Sequence, residues 1–179
     1  TVDRQLVWVD RAGNPTPLNL RAALYNDVEI SPDGSHIAIL VGSSGSGDVW
    51  IYDTHSTAFD RLTFDGTNAS PFWSEDGRTI YYAGVNPNGL ETTFLRRPID
   101  KSKAPEKVGT VMARSYLDSI DRQEKIAYLD TYTAPGSADY SDVLALPIGG
   151  SPKPMVGGRA QQYAAAVSPD SRWLAYQSD

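Results

Sequence analysis

A short phrase recurs four times along the chain: SPDGSHIAIL at 31–40, SEDGRTIYYA at 74–83, SIDRQEKIAYL at 119–129 and SPDSRWLAYQ at 168–177. Its serines, Ser31, Ser74, Ser119 and Ser168, stand 43, 45 and 49 residues apart. Self-similarity at roughly 40–50 residues is the mark of an array of supersecondary units that bury their apolar faces against one another. No other property of the sequence restricts the fold as much.

Residues 26–66 show how one unit is built. NDVEIS reads as a first strand. Ser31-Pro32-Asp33-Gly34 fits a type I turn, with proline pre-setting φ at the second corner and glycine at the fourth. His36 to Val41 is apolar and β-branched, a second strand. Gly42 to Gly47 reads as a flexible loop. DVWIYD at 48–53 alternates polar and apolar residues in the manner of a half-buried third strand, and 59–64 returns as a fourth. Residues 68–111 repeat this order. Residues 114–157 repeat it with a weaker turn, where Ile120 and Arg122 replace proline and glycine and one extra residue precedes Ile126.

The two ends carry half a unit each. LVWVDRAGNPTPLNL at 6–20 resembles third and fourth strands, and residues 163–179 supply a first and a second. The expected fold is therefore all-β: a β-propeller of four-stranded antiparallel blades, three whole and two half, about four blades' worth in a single array over 1–179. Three arrangements would satisfy the half-blades' open edges. The tail could pair with the head in one chain, two chains could exchange halves as an eight-bladed homodimer, or further sequence could complete a larger ring. The exchanged dimer is preferred, because four-bladed closure strains tapered blades most. The chain opens on Thr1, and residues 1–4 are no signal peptide, so a processed form or a piece of a longer parent is expected.

Composition narrows the function. A formal net charge of −6 argues against nucleic acid as a partner, since phosphate binding needs clustered Lys and Arg. The absence of cysteine excludes a disulfide framework, a thiol nucleophile and a thiolate metal site. No apolar run approaches the roughly 18 residues of a membrane span, so membrane insertion is not expected.

The phrases SPDGSHIAIL and FWSEDGRTIYYAG, with DVWIYDTHSTAFDRLTFDG after the first, resemble the WD-like repeats of TolB-type propellers. The matching residues include Trp73 before the turn and Arg61-Leu62-Thr63 in the fourth strand. The resemblance covers nearly the whole chain and implies three settings: periplasmic TolB, the filter domain of prolyl-oligopeptidase-like serine peptidases, and propellers attached to bacterial Ser/Thr kinases. The VWVDRAG phrase is most similar to the last. The resemblance also implies a periplasmic or extracellular location.

Catalytic chemistry finds little support. His36 and His55 are the only two histidines, and both lie in or beside ordinary turns. GSSGSG at 42–47 lacks the spacing and the strand-to-helix setting of a nucleophile elbow, and no helix follows to hold a phosphate. Asp33, Asp76, Asp121 and Asp170 recur once per repeat and fall on different blades, so they read as turn formers rather than metal ligands. No metal or other cofactor is expected, although a calcium ion in the central channel stays open as an alternative. The aromatics of the strands, among them Trp50, Phe72 and Trp73, read as packing between blades. Asn68-Ala69-Ser70 matches a glycosylation acceptor.

Binding is the expectation that remains: a non-enzymatic scaffold that takes a protein or small ligand through its loop-rich face or central channel. The alternative is the substrate-gating segment of a prolyl-oligopeptidase-like peptidase whose catalytic domain lies elsewhere. Counting back from each turn serine places Asp27, Glu29, Ser70 and Ser115 on the innermost strands, facing the channel. The long loop at 130–141, with Tyr132 and Tyr140, is the expected recognition segment.

Overall fold

Alternating apolar residues in short runs, bounded by turn residues, become sixteen β-strands in the computed structural model, which describes residues 3–132, 141–157 and 160–179. Strands β1 (Val7–Val9) and β2 (Pro15–Pro17) form a hairpin at the head. The first blade is β3 (Tyr25–Ile30), β4 (His36–Ser43), β5 (Ser46–Asp53) and β6 (Phe59–Arg61). The second is β7 (Asn68–Trp73), β8 (Thr79–Val85), β9 (Thr92–Pro98) and β10 (Glu106–Val111). The third is β11 (Arg114–Ile120), β12 (Ile126–Tyr132), β13 (Ser141–Pro147) and β14 (Lys153–Val156). A last hairpin, β15 (Gln162–Val167) and β16 (Leu174–Ser178), forms the tail. Within each blade the strands pair antiparallel in chain order, and a single pair, Gly47 with Asn68, joins the first two sheets. No helix occurs among the described residues, and the chain is a partial β-propeller.

Local hydrogen bonds explain why the recurrent phrase is a turn. The Ser31 hydroxyl donates to Asp33 at 2.7 Å and accepts from the His36 amide at 2.9 Å, while the Gly34 amide closes on the Ser31 carbonyl at 2.8 Å. Gly34, at φ 73°, occupies backbone space that favours glycine. Ser74 with Asp76, and Ser168 with Asp170, repeat the pattern at 2.7 and 2.6 Å. These bonds to ionised oxygens hold the carboxyls of Asp33, Asp76 and Asp170 below the usual range.

The third turn corrects the sequence register. It begins at Asp121, not at Ser119, which lies inside β11. The Asp121 carboxylate takes the place of the serine hydroxyl, accepting the Lys125 and Ile126 amides at 2.6 and 3.1 Å. Glu124 stands where glycine stands in the first two turns, at φ 52°. Its carboxylate accepts the Tyr81 hydroxyl at 2.6 Å and the Glu75 amide at 3.0 Å, ties to the second blade that hold the strained backbone in place.

The 42–47 segment is also not the flexible loop its composition suggests. The ladder of β4 and β5 runs through Gly42–Gly47 and Ser43–Ser46, leaving only Ser44 and Gly45 at the tip. Glycine is needed for close approach: a Cβ on Gly42 would stand 2.5 Å from the Gly47 Cα.

The core consists of four seams, each between consecutive units. Leu18 of the head packs with Tyr25, Ile37, Ile39 and Tyr52 of the first blade. Ala38, Val49, Ile51 and Leu62 of the first blade meet Trp73, Ile80 and Tyr82 of the second. Phe94, Val108 and Val111 of the second meet Leu117, Leu129 and Leu146 of the third. Tyr128 and Val143 of the third meet Ala165 of the tail. The Arg61-Leu62-Thr63 phrase secures the first inter-blade seam: Leu62 is fully buried in it, while Arg61 and Thr63 both bond to the buried Asp48 carboxylate. Asn68, opening the next blade, joins the same network through Thr63 at 2.9 Å. Its side chain is fully buried, so the Asn68-Ala69-Ser70 match is not a glycan acceptor in the folded chain.

Trp73 binds one blade to the next twice, by burial of its ring and by an indole N–H donated to the Glu29 carbonyl at 3.0 Å. Trp73→Ala should destabilise the fold by about 3–5 kcal/mol, the cost of emptying a large aromatic site. Urea unfolding of the two proteins measures it, and a loss under about 1 kcal/mol would contradict Trp73 as a main tie between the first two blades.

Candidate functional site

The first strands of the blades, β3, β7, β11 and β15, lie innermost and touch one another in sequence. Each bulges. The ladders skip between Asn26 and Val28, Ala69 and Phe72, Leu117 and Ser119, and Tyr163 and Ala166. The extra residues include Asp27, Ser70 and Ala164, at φ 28°, 48° and 55°. A bulge leaves one residue outside the ladder and re-aims its side chain, and positive φ on Asp27 and Ser70 is strain that the packing must sustain. Asp27 and Asp118 bridge to the neighbouring inner strand: Asp27 Oδ2 accepts the Ser70 amide at 3.3 Å, and Asp118 Oδ2 the Ala165 amide at 2.9 Å.

These strands enclose a cleft of about 630 Å³ at the axis. Asp27 and Glu29 line it from β3, Ser70 and Phe72 from β7, and Tyr116 and Asp118 from β11. Asp130 and Tyr132 reach it from β12, and Ser44 from the tip of the β4–β5 hairpin. Among the described residues, four carboxylates and no Lys or Arg line this space. Arg114 approaches at the rim, donating from Nε to the Tyr116 hydroxyl at 2.6 Å with its guanidinium 5.5 Å from the Tyr116 ring centre. Tyr116 and Tyr132 meet edge to face at 6.0 Å.

Burial and mutual repulsion raise the carboxyls of this cleft. Asp130 is pushed up to about 6 by burial first and then by the charge of Asp118, against one hydrogen bond from Ser141. Burial raises Glu29, with the Asp27 charge adding to it, and burial raises Asp118 against the opposing Ala165 amide bond. Asp130 is 9% exposed, and its Oδ1 meets no hydrogen-bond donor among the described residues.

Of the residues expected to face the channel, Asp27, Glu29 and Ser70 line the cleft, and so does Tyr132. Ser115 does not. It is fully buried behind the cleft wall, its hydroxyl 3.0 Å from that of Thr131 and its amide donating to Thr92 Oγ1 at 3.0 Å. The misplaced turn register is the reason: counted from Asp121, the inward stretch of β11 centres on Leu117 and Asp118. Tyr140 lies outside the described residues. Sequence reasoning missed Asp118 and Asp130. The first was hidden by the register, and the second by reading the end of β12 as loop.

A second concavity, of about 370 Å³, lies around His36, Asp53 and Lys101. His36 Nδ1 is 2.7 Å from the Ser35 hydroxyl, and its Nε2 is 3.8 Å from Asp53. That hydroxyl also lies 2.8 Å from both oxygens of Asp33, which compete for its proton, so the group is a turn network rather than an activated nucleophile. Among the described residues no three acidic or imidazole side chains converge to chelate a metal ion.

Asp130→Asn isolates the electrostatics of the cleft. Asp130 has a folded-state value above the unfolded one, near 3.9, so the folded protein binds its proton more tightly and stability from this group falls as pH rises from about 4 to about 6. The variant should gain about 1 kcal/mol over wild type between pH 4 and pH 7, allowing for screening through the open cleft. Thermal melts at both pH values measure the gain; a difference that does not change with pH would contradict the assignment.

The sequence matches no protein-family model and no curated protein. Its structure is similar to that of TolB from Acinetobacter baumannii, at 14% identity and a TM-score of 0.71, over 96% of this chain and 42% of that one. It is similar to a TolB-type structure from Agrobacterium tumefaciens at 16% identity and a TM-score of 0.73, over 100% of this chain and 64% of that one. The β-propeller domain of the Trilobed protease from Pyrococcus furiosus matches at 16% identity and a TM-score of 0.59, over 88% of this chain and 51% of that one. At these identities the likeness establishes the fold, a TolB-like β-propeller, and this chain spans 42–64% of the length of these three structures.

Proposed function

We propose that the chain is a non-enzymatic binding module whose ligand site is the axial cleft. The observation that carries this reading is the convergence of bulged inner strands and of Asp130 and Tyr132 from β12 on one open space. Strain and like charge accumulate there, at a cost to stability that neither turn formation nor seam packing requires, and such costs concentrate at functional sites. In the kinase-attached setting suggested by the VWVDRAG phrase, a module of this kind would serve as the sensor of its ligand. A panel of Gly-X-Gly tripeptides tests the site. Amide NMR shifts should move at Val28, Ser70 and Leu117, with no hydrolysis of any peptide. Shifts confined to His36, Asp53 and Lys101, or cleavage by the chain alone, would overturn the reading.

We also infer that the end hairpins are completed by a second copy of the chain. In whole blades the second strand pairs with the third, as β4 does with β5. β16 holds the second-strand place and β1 the third-strand place, and among the described residues each has one edge without a strand partner. Trp8 and Trp173 on these hairpins are 40% and 71% exposed, surface that pairing would cover. Light scattering at micromolar concentration should give a dimer mass, and Tyr176→Pro, which removes a ladder donor, should shift it toward monomer. A monomer mass for the unaltered chain would overturn this.

A further inference from the structure

Resting on the axial cleft as the ligand site, we propose that its ligand presents an organic cation, an ammonium or guanidinium group on an apolar stem. Four features of the cleft point to this chemistry. Asp27, Glu29, Asp118 and Asp130 all face one space, and among the described residues no basic side chain lines it. Asp130 is nine-tenths buried, yet its Oδ1 has no donor among the described residues, which is uncommon in a folded chain unless something fills the site. Phe72, Tyr116 and Tyr132 add aromatic surface beside the carboxylates. Ring faces attract ammonium and guanidinium groups and accept the methylenes behind them.

The spacing of the carboxylates separates this ligand from a metal ion. Among the described residues no three acidic groups come close enough to share one compact ion, which would draw about six to eight oxygens onto itself. An extended cation with several N–H donors reaches dispersed acceptors one at a time, and guanidinium has five in a planar fork. One such group already stands beside a lining residue: Arg114 lies over the Tyr116 ring and donates to its hydroxyl, outside the lining itself.

Binding should depend on pH, because the acceptors must be ionised. The groups facing Asp130 are Asp118 and Tyr116 on β11, Tyr132 and the Ser141 hydroxyl beside it, Asp27 and Glu29 across the cleft on β3, and Arg114 at the rim. Of these, the carboxyls of Glu29, Asp118 and Asp130 are raised, so affinity should fall as pH drops from 7.5 to 5.

Calorimetry on the intact chain provides the test, with Gly-Arg-Gly, Gly-Gln-Gly, spermidine and calcium chloride as probes. Gly-Arg-Gly should bind at least about tenfold more tightly than Gly-Gln-Gly at pH 7.5. Asp130→Asn should weaken its binding about tenfold, and Glu29→Gln provides a second variant, with thermal melts confirming that both fold. Tight binding of spermidine with weak binding of the peptide would assign the cation to a free polyamine, and the reverse to a basic side chain; either supports the proposal. Equal affinity for the two peptides without tighter binding of spermidine, calcium binding without amine binding, or Asp130→Asn binding its cation like wild type would each overturn it. Binding of Gly-Gln-Gly that Phe72→Ala abolishes and Asp130→Asn leaves unchanged would keep the cleft as the ligand site and remove the cation alone. No binding by any probe at millimolar concentration overturns the cation assignment outright.

Discussion

A four-stranded sheet of strands this short has two faces and cannot bury either by itself. The chain meets that constraint by seating each sheet on the next, so that its apolar side chains collect in four seams rather than one centre. Everything else in the structure follows from this arrangement. Seams need small contacts and large ones in alternation: Ala38, Ala69, Ala83 and Ala127 are almost completely buried beside Trp73, Tyr82 and Phe94. They also need polar ties where one blade hands over to the next, which is the role of Asp48, with Arg61, Thr63 and Asn68 gathered on its carboxylate.

Stacking sheets face to face brings their first strands together at an axis, where polar backbone and short side chains crowd. Bulges relieve the crowding by taking one residue out of each inner ladder. The residues so displaced carry the character of the cleft. Two of them, Asp27 and Asp118, are acidic and tether the adjacent inner strand through its amides. Packing and charge therefore oppose each other at this place. The seams draw the inner strands together, and the carboxyls of Glu29, Asp118 and Asp130 resist by taking protons more readily than they would in water.

The fold was legible because its determinants are local. Ser31, Asp33 and Gly34 form their turn with one another, and the same chemistry repeats at Ser74 and Ser168, so a reader of the sequence can count blades from the turns. The third turn resisted because Asp121 does a serine's work and Glu124 sits where glycine would. Nothing in residue type announces that exchange; it depends on Tyr81 and Glu75, more than forty positions earlier, holding the Glu124 carboxylate. The cleft was half legible for a related reason. Asp27, Glu29 and Ser70 could be reached by counting from good turns. Asp118 and Asp130 could be reached only by knowing where β11 bulges and how far β12 runs.

Seams arranged in series have a geometric consequence for the cleft. Each sets the angle between two sheets, and the inner strands stand at the apex of every angle, so the cleft behaves as an iris whose aperture is fixed from outside. An added methyl group at Ala83, fully buried between the second and third blades, would splay the seam and part Phe72 from Tyr116. Water would reach the carboxylates beyond them, relieving the burial that raises Glu29, Asp118 and Asp130, and they would give up their protons more easily. A change of volume in the apolar core would thus arrive at the axis as a change of charge.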